Sequence, residues 1–205
     1  MYKILFIGIG KMGFPMAGFL SEKYEVSVYN RSKEKISIWK KKYGGNAVEN
    51  LNQLDEKFDF IISCIGNDDD LREITSNDTG CFNAIRKNTI FIDHSTVSPK
   101  IVQELELKLK EKEAFFLDAP ISGGQLGAEK GQLSIMVGGD KNAFNKSESI
   151  FEVYGKKRKY MGSSGSGQLT KIINQICIAG LVQGLSESIY FMKQTKLNPE
   201  DVLDV

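Results

Sequence analysis

The opening stretch of the chain constrains its fold more than any other segment. Residues 2–7 form a short apolar run typical of a β-strand, and Gly8, Gly10 and Gly13 follow directly in the spacing G-x-G-x-x-G. Apolar residues then recur at helical spacing as far as Leu20. A strand, a glycine turn and a helix in this order predict a turn that binds the pyrophosphate of a dinucleotide. A glycine-rich turn without a ligand is the alternative.

Each glycine of this turn has a physical role in that prediction. Gly8 permits the tight turn, Gly10 lets a pyrophosphate approach the backbone, and Gly13 lets the helix pack against the strand. The free N–H groups and the positive end of the helix dipole would then face the phosphates.

The composition argues against several classes of function. The 205 residues carry a net charge of +1, so no overall charge attracts the chain to nucleic acid or to a membrane surface. Cys64, Cys81 and Cys177 form no C-x-x-C pair, which favours a reducing compartment over a disulfide framework or a zinc site. A single histidine, His94, argues against a histidine metal site or catalytic triad. We therefore predict no metal.

The amino terminus and the apolar segments predict a cytoplasmic protein. No basic region precedes the first apolar run, and Lys11 interrupts it, so we expect no signal peptide. No uncharged apolar stretch reaches the roughly 18 residues that a membrane span needs.

Strand-like and helical segments alternate along the chain, which predicts a Rossmann-type, doubly wound α/β sheet. Several of the strand-like runs are apolar on both faces, as buried parallel strands are. The predicted strands are 2–7, 25–29, 58–64, 89–92, 114–117 and 133–137, and the predicted helices are 12–20, 33–42, 71–76, 99–112 and 141–150.

The second predicted strand ends in Asn30-Arg31-Ser32. An acidic residue about 20 positions after the glycine turn would bind the ribose 2′-hydroxyl of NAD, and none is present here. Asn30 can hydrogen-bond, Arg31 can bind a 2′-phosphate with its guanidinium fork, and Ser32 can donate to it. These residues favour NADP over NAD, and a surface arginine without a ligand is the alternative.

Loops at two further strand ends are candidate cofactor contacts, because such loops line the ligand crevice of an open α/β sheet. The loop 65–67 follows one strand, and the aspartates at 68–70 are interpreted as a solvated helix start. Thr96 follows another strand and is predicted either to bond the cofactor or to cap the helix that begins near Pro99. His94 is interpreted as a structural residue.

A second glycine-rich stretch begins at Ser122-Gly123-Gly124, after a predicted strand end. Backbone N–H groups at adjacent glycines can bind an anion, and the serine adds a hydroxyl donor, so a substrate carboxylate would suit this loop. The later glycines Gly127, Gly131, Gly138 and Gly139 are interpreted as turns. The basic run 156–159 is interpreted as a solvated edge.

The carboxyl-terminal part changes in character after Gly162. Apolar residues from Leu169 to Met192 predict one long amphipathic helix from Gln168 to about Lys193. We expect two domains, a dinucleotide-binding domain at 1–162 and the start of an all-α domain at 163–205. An exposed apolar stripe of this size predicts association into a homodimer or a higher oligomer.

Four segments together resemble the β-hydroxyacid dehydrogenase family, the short relatives of 6-phosphogluconate dehydrogenase. Alone, the glycine turn is a weak signal, but the four occur in the family's order and spacing. They are Gly8-Ile9-Gly10-Lys11-Met12-Gly13, the D-x-S-T-x-x-P segment from Asp93 to Pro99, Asp118-Ala119-Pro120-Ile121-Ser122-Gly123-Gly124, and Gly165-Ser166-Gly167 with Lys171 and Asn174.

The resemblance implies catalytic and binding roles. Lys171 would be the general acid in aldehyde reduction and the base in alcohol oxidation, and Asn174 would hold the substrate or the lysine. Ser122, which is counted with the catalytic residues, would bind the substrate carboxylate together with Gly123 and Gly124. The implied cofactor contacts are Gly8, Ile9, Gly10, Lys11, Met12, Gly13, Asn30, Arg31, Ser32, Cys64, Ile65, Gly66 and Thr96.

The implied activity is the NADPH-dependent reduction of a small semialdehyde or glyoxylate. Asn174-Gln175 replaces the histidine and asparagine of 6-phosphogluconate dehydrogenases, which disfavours a sugar phosphate. Most of the family's carboxyl-terminal domain is expected to be missing. The alternatives are an NAD-dependent 3-hydroxyisobutyrate dehydrogenase and a non-catalytic dinucleotide-binding fragment. An imine reductase is disfavoured by Lys171, which such relatives usually lack.

Overall fold

The computed structural model describes residues 1–54, 57–76 and 78–205, and these residues form one mostly parallel sheet with helices on both faces. The strands are β1 (Lys3–Ile7), β2 (Glu25–Tyr29), β3 (Asn46–Ala47), β4 (Phe60–Ser63), β5 (Ile90–Asp93), β6 (Phe115–Asp118), β7 (Ile121–Ser122), β8 (Leu133–Gly139) and β9 (Gly155–Gly162). The helices are α1 (Gly13–Ser21), α2 (Lys33–Tyr43), α3 (Asp68–Ile74), α4 (Pro99–Glu111), α5 (Gly124–Glu129), α6 (Lys141–Tyr154), α7 (Ser166–Gln194) and α8 (Pro199–Asp204).

The order of the strands places a ligand crevice at the carboxyl end of β1. The sheet runs β3-β2-β1-β4-β5-β6-β8-β7, with β9 paired to β8. β1 pairs in parallel with β2 on one side and with β4 on the other, so the chain changes direction across the sheet at this point. Open α/β sheets bind ligands at such a switch point. The predicted doubly wound fold is confirmed.

Alternate residues of β1 face two separate hydrophobic layers, because successive side chains of a strand point to opposite faces. Ile4 and Phe6 pack with buried residues of α1, α2 and α6. Leu5 and Ile7 pack with buried residues of α3 and α4. Burial on both faces explains the continuous apolar run at the start of the chain.

The contacts of the chain divide it into two units, Met1–Lys171 and Ile172–Val205. The whole sheet lies in the first unit. The second unit contains most of α7 and all of α8. The predicted domain boundary at residue 162 stays a prediction.

Several short elements differ from the sequence prediction. The strands β3, β7 and β9 and the helix α5 were not predicted. The basic run 156–159 lies within β9, whose lysines are exposed as charged residues of an outer strand commonly are. Gly127 lies inside α5, and Gly138 and Gly139 end β8, so the interpretation of these three as turns is wrong; Gly131, with φ of +63°, does lie in a turn.

The long helix α7 agrees with its predicted bounds to within two residues at each end. Among the described residues, it is the one helix long and apolar enough to cross a membrane by length and composition. That is weak evidence, since core helices of soluble proteins pass the same test. Its uncharged run, which begins after Lys171, ends at Glu187.

Candidate cofactor groove and active site

A groove of about 340 Å³ lies at the carboxyl end of β1, where the sheet topology predicts a ligand crevice. It brings together the glycine turn, the end of β2 and the loop after β4. Most of the predicted cofactor residues line it: Gly8, Gly10, Lys11, Met12, Gly13, Asn30, Arg31, Cys64, Ile65 and Gly66.

The glycine turn has the shape that a pyrophosphate needs. Gly8 has a φ of +94°, and a Cβ there would overlap the carbonyl oxygen of Cys64. A Cβ at Gly13 would overlap the carbonyl oxygen of Gly8, so only glycine lets α1 start this close to β1. At Gly10, an added Cβ would meet nothing within 4 Å, so the backbone faces open space. The turn therefore fits the pyrophosphate of NAD or NADP.

Asn30 braces this turn from the end of β2. The backbone N–H of Ile9 donates to Asn30 Oδ1 at 3.2 Å, and Asn30 Nδ2 donates to the carbonyl oxygen of Ser32 at 3.3 Å. Asn30 therefore holds the glycine turn against β2 in addition to lining the groove. Neither Ile9 nor Ser32 is among the described residues that line the groove.

The far wall of the groove contains residues to which the sequence assigned no role. Arg31 forms an ion pair of 3.0 Å with Asp70, the third residue of α3. Of the aspartates at 68–70, only Asp69 is strongly exposed, at 95%, as a solvated helix start requires. Asp68 accepts hydrogen bonds from Ser98, and the side chain of Asp70 is only 17% exposed. The lining residues that were not predicted to contact the cofactor are Ile7, Tyr29, Leu51, Asp70, Glu73, Ile74 and Thr79.

Thr96 is exposed and does not line the described groove, and it does not cap α4. Ser98 is the cap, because its side chain accepts from the N–H of Ile101. Ser95, which precedes Thr96, is the residue of this stretch that contacts the loop 65–67, the predicted cofactor loop after β4. Its hydroxyl accepts from the N–H of Ile65 at 3.0 Å and donates to the buried Asp93 at 2.6 Å.

Two titratable side chains beside these loops are held in neutral form. Burial, together with the nearby charge of Asp93, raises the pKa of the Cys64 thiol to about 12. Burial lowers the pKa of His94 to about 4. The Nδ1 of His94 lies 2.6 Å from the carbonyl oxygen of Ala119, and its Nε2 lies 2.8 Å from the hydroxyl of Tyr154. The structural interpretation of His94 is confirmed.

Lys171 lies in the second turn of α7 and is nearly buried, with 8% of its surface exposed. Its Nζ donates to the carbonyl oxygen of Ile121 at 2.9 Å. Burial lowers the pKa of this lysine from its ordinary value. A buried ammonium group with a lowered pKa can give up or take a proton near neutral pH more readily than a surface lysine.

The predicted carboxylate loop begins at the residue after Ile121. Ser122 is half-buried, and Gly123 and Gly124 are exposed. Both glycines have positive φ, at +135° and +60°. The hydrogen bond from Lys171 to Ile121 therefore places the lysine ammonium next to the start of this loop.

Asp118 and Gln168 fix the first turn of the helix that carries Lys171. The carboxylate of Asp118 accepts from the N–H groups of Gly165 at 2.9 Å and Gln168 at 2.8 Å. The side-chain amide of Gln168 donates to the carbonyl oxygen of Ser95 at 2.7 Å and accepts from the N–H of Val97. This network joins the lysine helix to the segment that holds the cofactor loop. In the sequence, the feature that could have indicated this network is Asp118, an acidic residue at the end of an apolar strand.

Asn174 belongs to the second unit, three residues after Lys171 along α7. It is half-buried, and its Oδ1 is shielded from solvent without a hydrogen-bond partner among the described residues. A buried amide oxygen without a partner can accept a hydrogen bond from a ligand.

Comparison with known proteins gives one consistent family. Residues 3–162 match the model of the NAD-binding domain of 6-phosphogluconate dehydrogenase. An uncharacterised oxidoreductase of Shewanella frigidimarina is 41% identical over all of this chain and 71% of its own length. The 2-hydroxy-3-oxopropionate reductase of Escherichia coli is 33% identical over 96% of this chain and 67% of its own length.

A solved structure agrees with the sequence relatives. The 3-hydroxyisobutyrate dehydrogenase of Mycobacterium tuberculosis, solved with L-serine, has a TM-score of 0.88 and 26% identity. That match covers 100% of this chain and 69% of the solved one. The chain therefore belongs to the family of NAD(P)-dependent hydroxy acid dehydrogenases and is an oxidoreductase with a dinucleotide-binding domain of the 6-phosphogluconate dehydrogenase type.

Proposed function

We propose that this chain is an NADPH-preferring reductase of small carboxylate-bearing aldehydes, with Lys171 as the general acid. The observation that carries the proposal is the nearly buried Lys171, whose Nζ lies 2.9 Å from the carbonyl oxygen of Ile121, directly before the predicted carboxylate loop. A proton donor and an anion-binding loop are thus adjacent, as the reduction of a semialdehyde requires.

The chemistry that a nicotinamide cofactor supplies is the transfer of a hydride to or from carbon. The carbonyl oxygen of the substrate must gain a proton as the carbon is reduced, and Lys171 is proposed to donate it. In the oxidative direction the neutral amine takes the proton from the alcohol. Burial lowers the pKa of Lys171, which makes its ammonium form a stronger acid for reduction and makes the neutral amine more available as a base for oxidation.

Ser122, Gly123 and Gly124 are proposed to bind the substrate carboxylate, and Asn174 to hold the substrate or Lys171. A hydroxyl donor and backbone N–H groups between residues of positive φ suit a carboxylate. The names of the relatives support a substrate of this size, since 2-hydroxy-3-oxopropionate and 3-hydroxyisobutyrate are both small carboxylates.

The preference for NADPH rests on Arg31, which lines the groove at the end of β2 where NAD-binding proteins commonly carry an acid. An NAD-dependent 3-hydroxyisobutyrate dehydrogenase is the second candidate, favoured by the similarity to the mycobacterial enzyme of that name. A non-catalytic dinucleotide-binding fragment is the third, and the intact Lys171 and Ser122 argue against it.

The test is the oxidation of NADPH and NADH by this chain with succinic semialdehyde, glyoxylate and tartronate semialdehyde. We expect turnover with NADPH at a higher kcat/KM than with NADH. Turnover with 3-hydroxyisobutyrate and NAD alone would support the second candidate. Binding of NADPH without turnover of any of these substrates would support the third.

We also propose a homodimer or higher homo-oligomer in a reducing, cytoplasmic compartment, without a nucleic-acid or membrane partner. In the second unit, α7 exposes large apolar side chains, among them Leu181 at 72% and Leu185 at 58%. An apolar stripe of this kind favours self-association. Light scattering at about 50 μM is expected to give at least twice the monomer mass, and a monomer at that concentration would contradict the proposal. Replacement of Leu181 by Glu is expected to shift the mass towards the monomer.

A further inference from the structure

The ion pair between Arg31 and Asp70 crosses the cofactor groove. Arg31 follows β2, Asp70 lies in α3 after β4, and these two strands flank β1, whose end carries the glycine turn. The pair therefore spans the groove from one wall to the other. Both residues line it.

The two partners differ in how firmly they are held. The side chain of Asp70 is 17% exposed, whereas that of Arg31 is 71% exposed. The backbone N–H of Asp70 donates to the Oδ1 of Asn67, the cap of α3. A Cβ added at Gly66 would lie 2.6 Å from the Asp70 Oδ2, so the missing side chain of Gly66 makes room for this carboxylate. Asp70 is the fixed partner, and the long arginine side chain is the one that can move.

We propose that Asp70 is a specificity-determining residue, which weakens the binding of 2′-phosphorylated cofactors by holding Arg31 as an internal counter-ion. The proposal rests on the proposed role of Arg31 in binding the 2′-phosphate. A cofactor without that phosphate leaves the pair intact. A cofactor with it must compete with Asp70 for the guanidinium group.

The sign of the effect follows from charge. A phosphate monoester carries between one and two negative charges near neutral pH, so placing it on Arg31 brings it close to a second anion. The phosphate must displace the Asp70 carboxylate from the guanidinium group, and the loss of that ion pair opposes binding. Because Arg31 is largely exposed, solvent and salt screen the interaction and keep the effect modest. The preference for NADPH is therefore smaller than Arg31 alone would give.

The experiment compares ligands that differ only in the 2′-phosphate. Calorimetric Kd values are measured for 2′,5′-ADP and 5′-AMP, and for NADPH and NADH, with the wild-type chain, Asp70→Asn, Arg31→Gln and the double variant. Asp69→Asn is the matched control, because it removes the same charge from the adjacent residue of α3, which pairs with Arg72 instead and is 95% exposed.

We expect Asp70→Asn to tighten 2′,5′-ADP and NADPH by about twofold to fivefold and to leave the Kd of 5′-AMP and NADH the same within about 1.5-fold. The gain should shrink at high salt. In the Arg31→Gln background, the same substitution should have no effect on any of the four ligands, and Asp69→Asn should have little effect in either background.

Three other outcomes separate the proposed role of Asp70 as a counter-ion from the proposed role of Arg31 in binding the 2′-phosphate. If Arg31→Gln weakens 2′,5′-ADP but Asp70→Asn behaves like Asp69→Asn, the role of Asp70 is wrong and the role of Arg31 stands. If Asp70→Asn still tightens 2′,5′-ADP in the Arg31→Gln background, Asp70 acts by direct repulsion, which overturns the counter-ion proposal. If Arg31→Gln changes no ligand, both the argument for NADPH and the role of Asp70 are overturned.

Discussion

Replacement of Lys171 by Met is expected to lower kcat/KM for aldehyde reduction with NADPH by about 100-fold or more. Met has nearly the same length and fills the same space, but it cannot donate a proton to the carbonyl oxygen or a hydrogen bond to Ile121. The Kd for NADPH, measured separately, should stay within about threefold of wild type, because Lys171 is not among the described residues that line the cofactor groove.

Lys112→Met is the matched control for this substitution. Lys112 also donates from Nζ to a backbone carbonyl, that of Phe82 at 2.8 Å, and burial also lowers its pKa. It lies directly after α4 and is not among the residues lining the groove. Equal losses in Lys112→Met and Lys171→Met would mean that activity reports the integrity of the fold, and the general-acid role would then be wrong.

The pH profile separates a proton donor from a residue that only positions the substrate. Reduction needs the protonated lysine, so its kcat/KM should fall as the pH rises through the pKa of Lys171, while oxidation of the alcohol should increase. Because burial lowers this pKa, both changes should come below the pH at which an ordinary lysine titrates. Lys171→Met should lose this pH dependence along with the rate. If Lys171→Met kept this pH dependence, the titrating group would be a residue other than Lys171.

The parts of the site that the sequence predicted are those that depend on local pattern. The glycine turn, β1 and β2 follow from adjacent residues, because spacing alone determines which backbone can turn so tightly and which strands are buried. The role of Lys171 as general acid was implied by the resemblance to a family, and the burial of its side chain supports that role. The long helix α7 followed from a regular apolar repeat.

The residues that the sequence did not predict depend on contacts between distant segments. Asp70 looks like one of three acids at a helix start, and only the packing of α3 beside β1 turns its side chain towards Arg31. Half of the residues in β9 are basic, a composition that does not favour a strand, and the strand forms because it pairs with β8. Helix α5 contains Gly124 and Gly127, which weaken any local preference for a helix.

Asp118 gives the second large expected effect, this one on stability. Its buried carboxylate accepts the N–H groups of Gly165 and Gln168, which begin the helix that carries Lys171. Asp118→Ala would leave both N–H groups without a partner in a site enclosed by Gly138 and Gly167, and is expected to cost about 3 kcal/mol in the free energy of unfolding. Asp118→Asn retains one acceptor oxygen and should cost about half as much.

The pH dependence of these variants tests the same contact. Burial raises the pKa of Asp118 to about 6 although its two N–H partners oppose the shift. Because the folded-state pKa lies above that of the unfolded chain, the contribution of protonated Asp118 to stability is complete below about pH 4 and is lost as the pH rises through 6. The cost of Asp118→Asn, measured by denaturant unfolding, should therefore be larger at pH 5 than at pH 7.

Asp140→Asn is the control, since Asp140 caps α6 from an exposed position by accepting from the N–H of Ala143. Asn and Asp are nearly equal as helix caps at the surface, so this variant should cost less than about 0.5 kcal/mol at pH 7. If Asp118→Asn cost as little as Asp140→Asn, and its cost were the same at pH 5 and pH 7, the carboxylate of Asp118 would not hold the start of α7. The position of Lys171 would then depend on Gln168 and on its own hydrogen bond to Ile121.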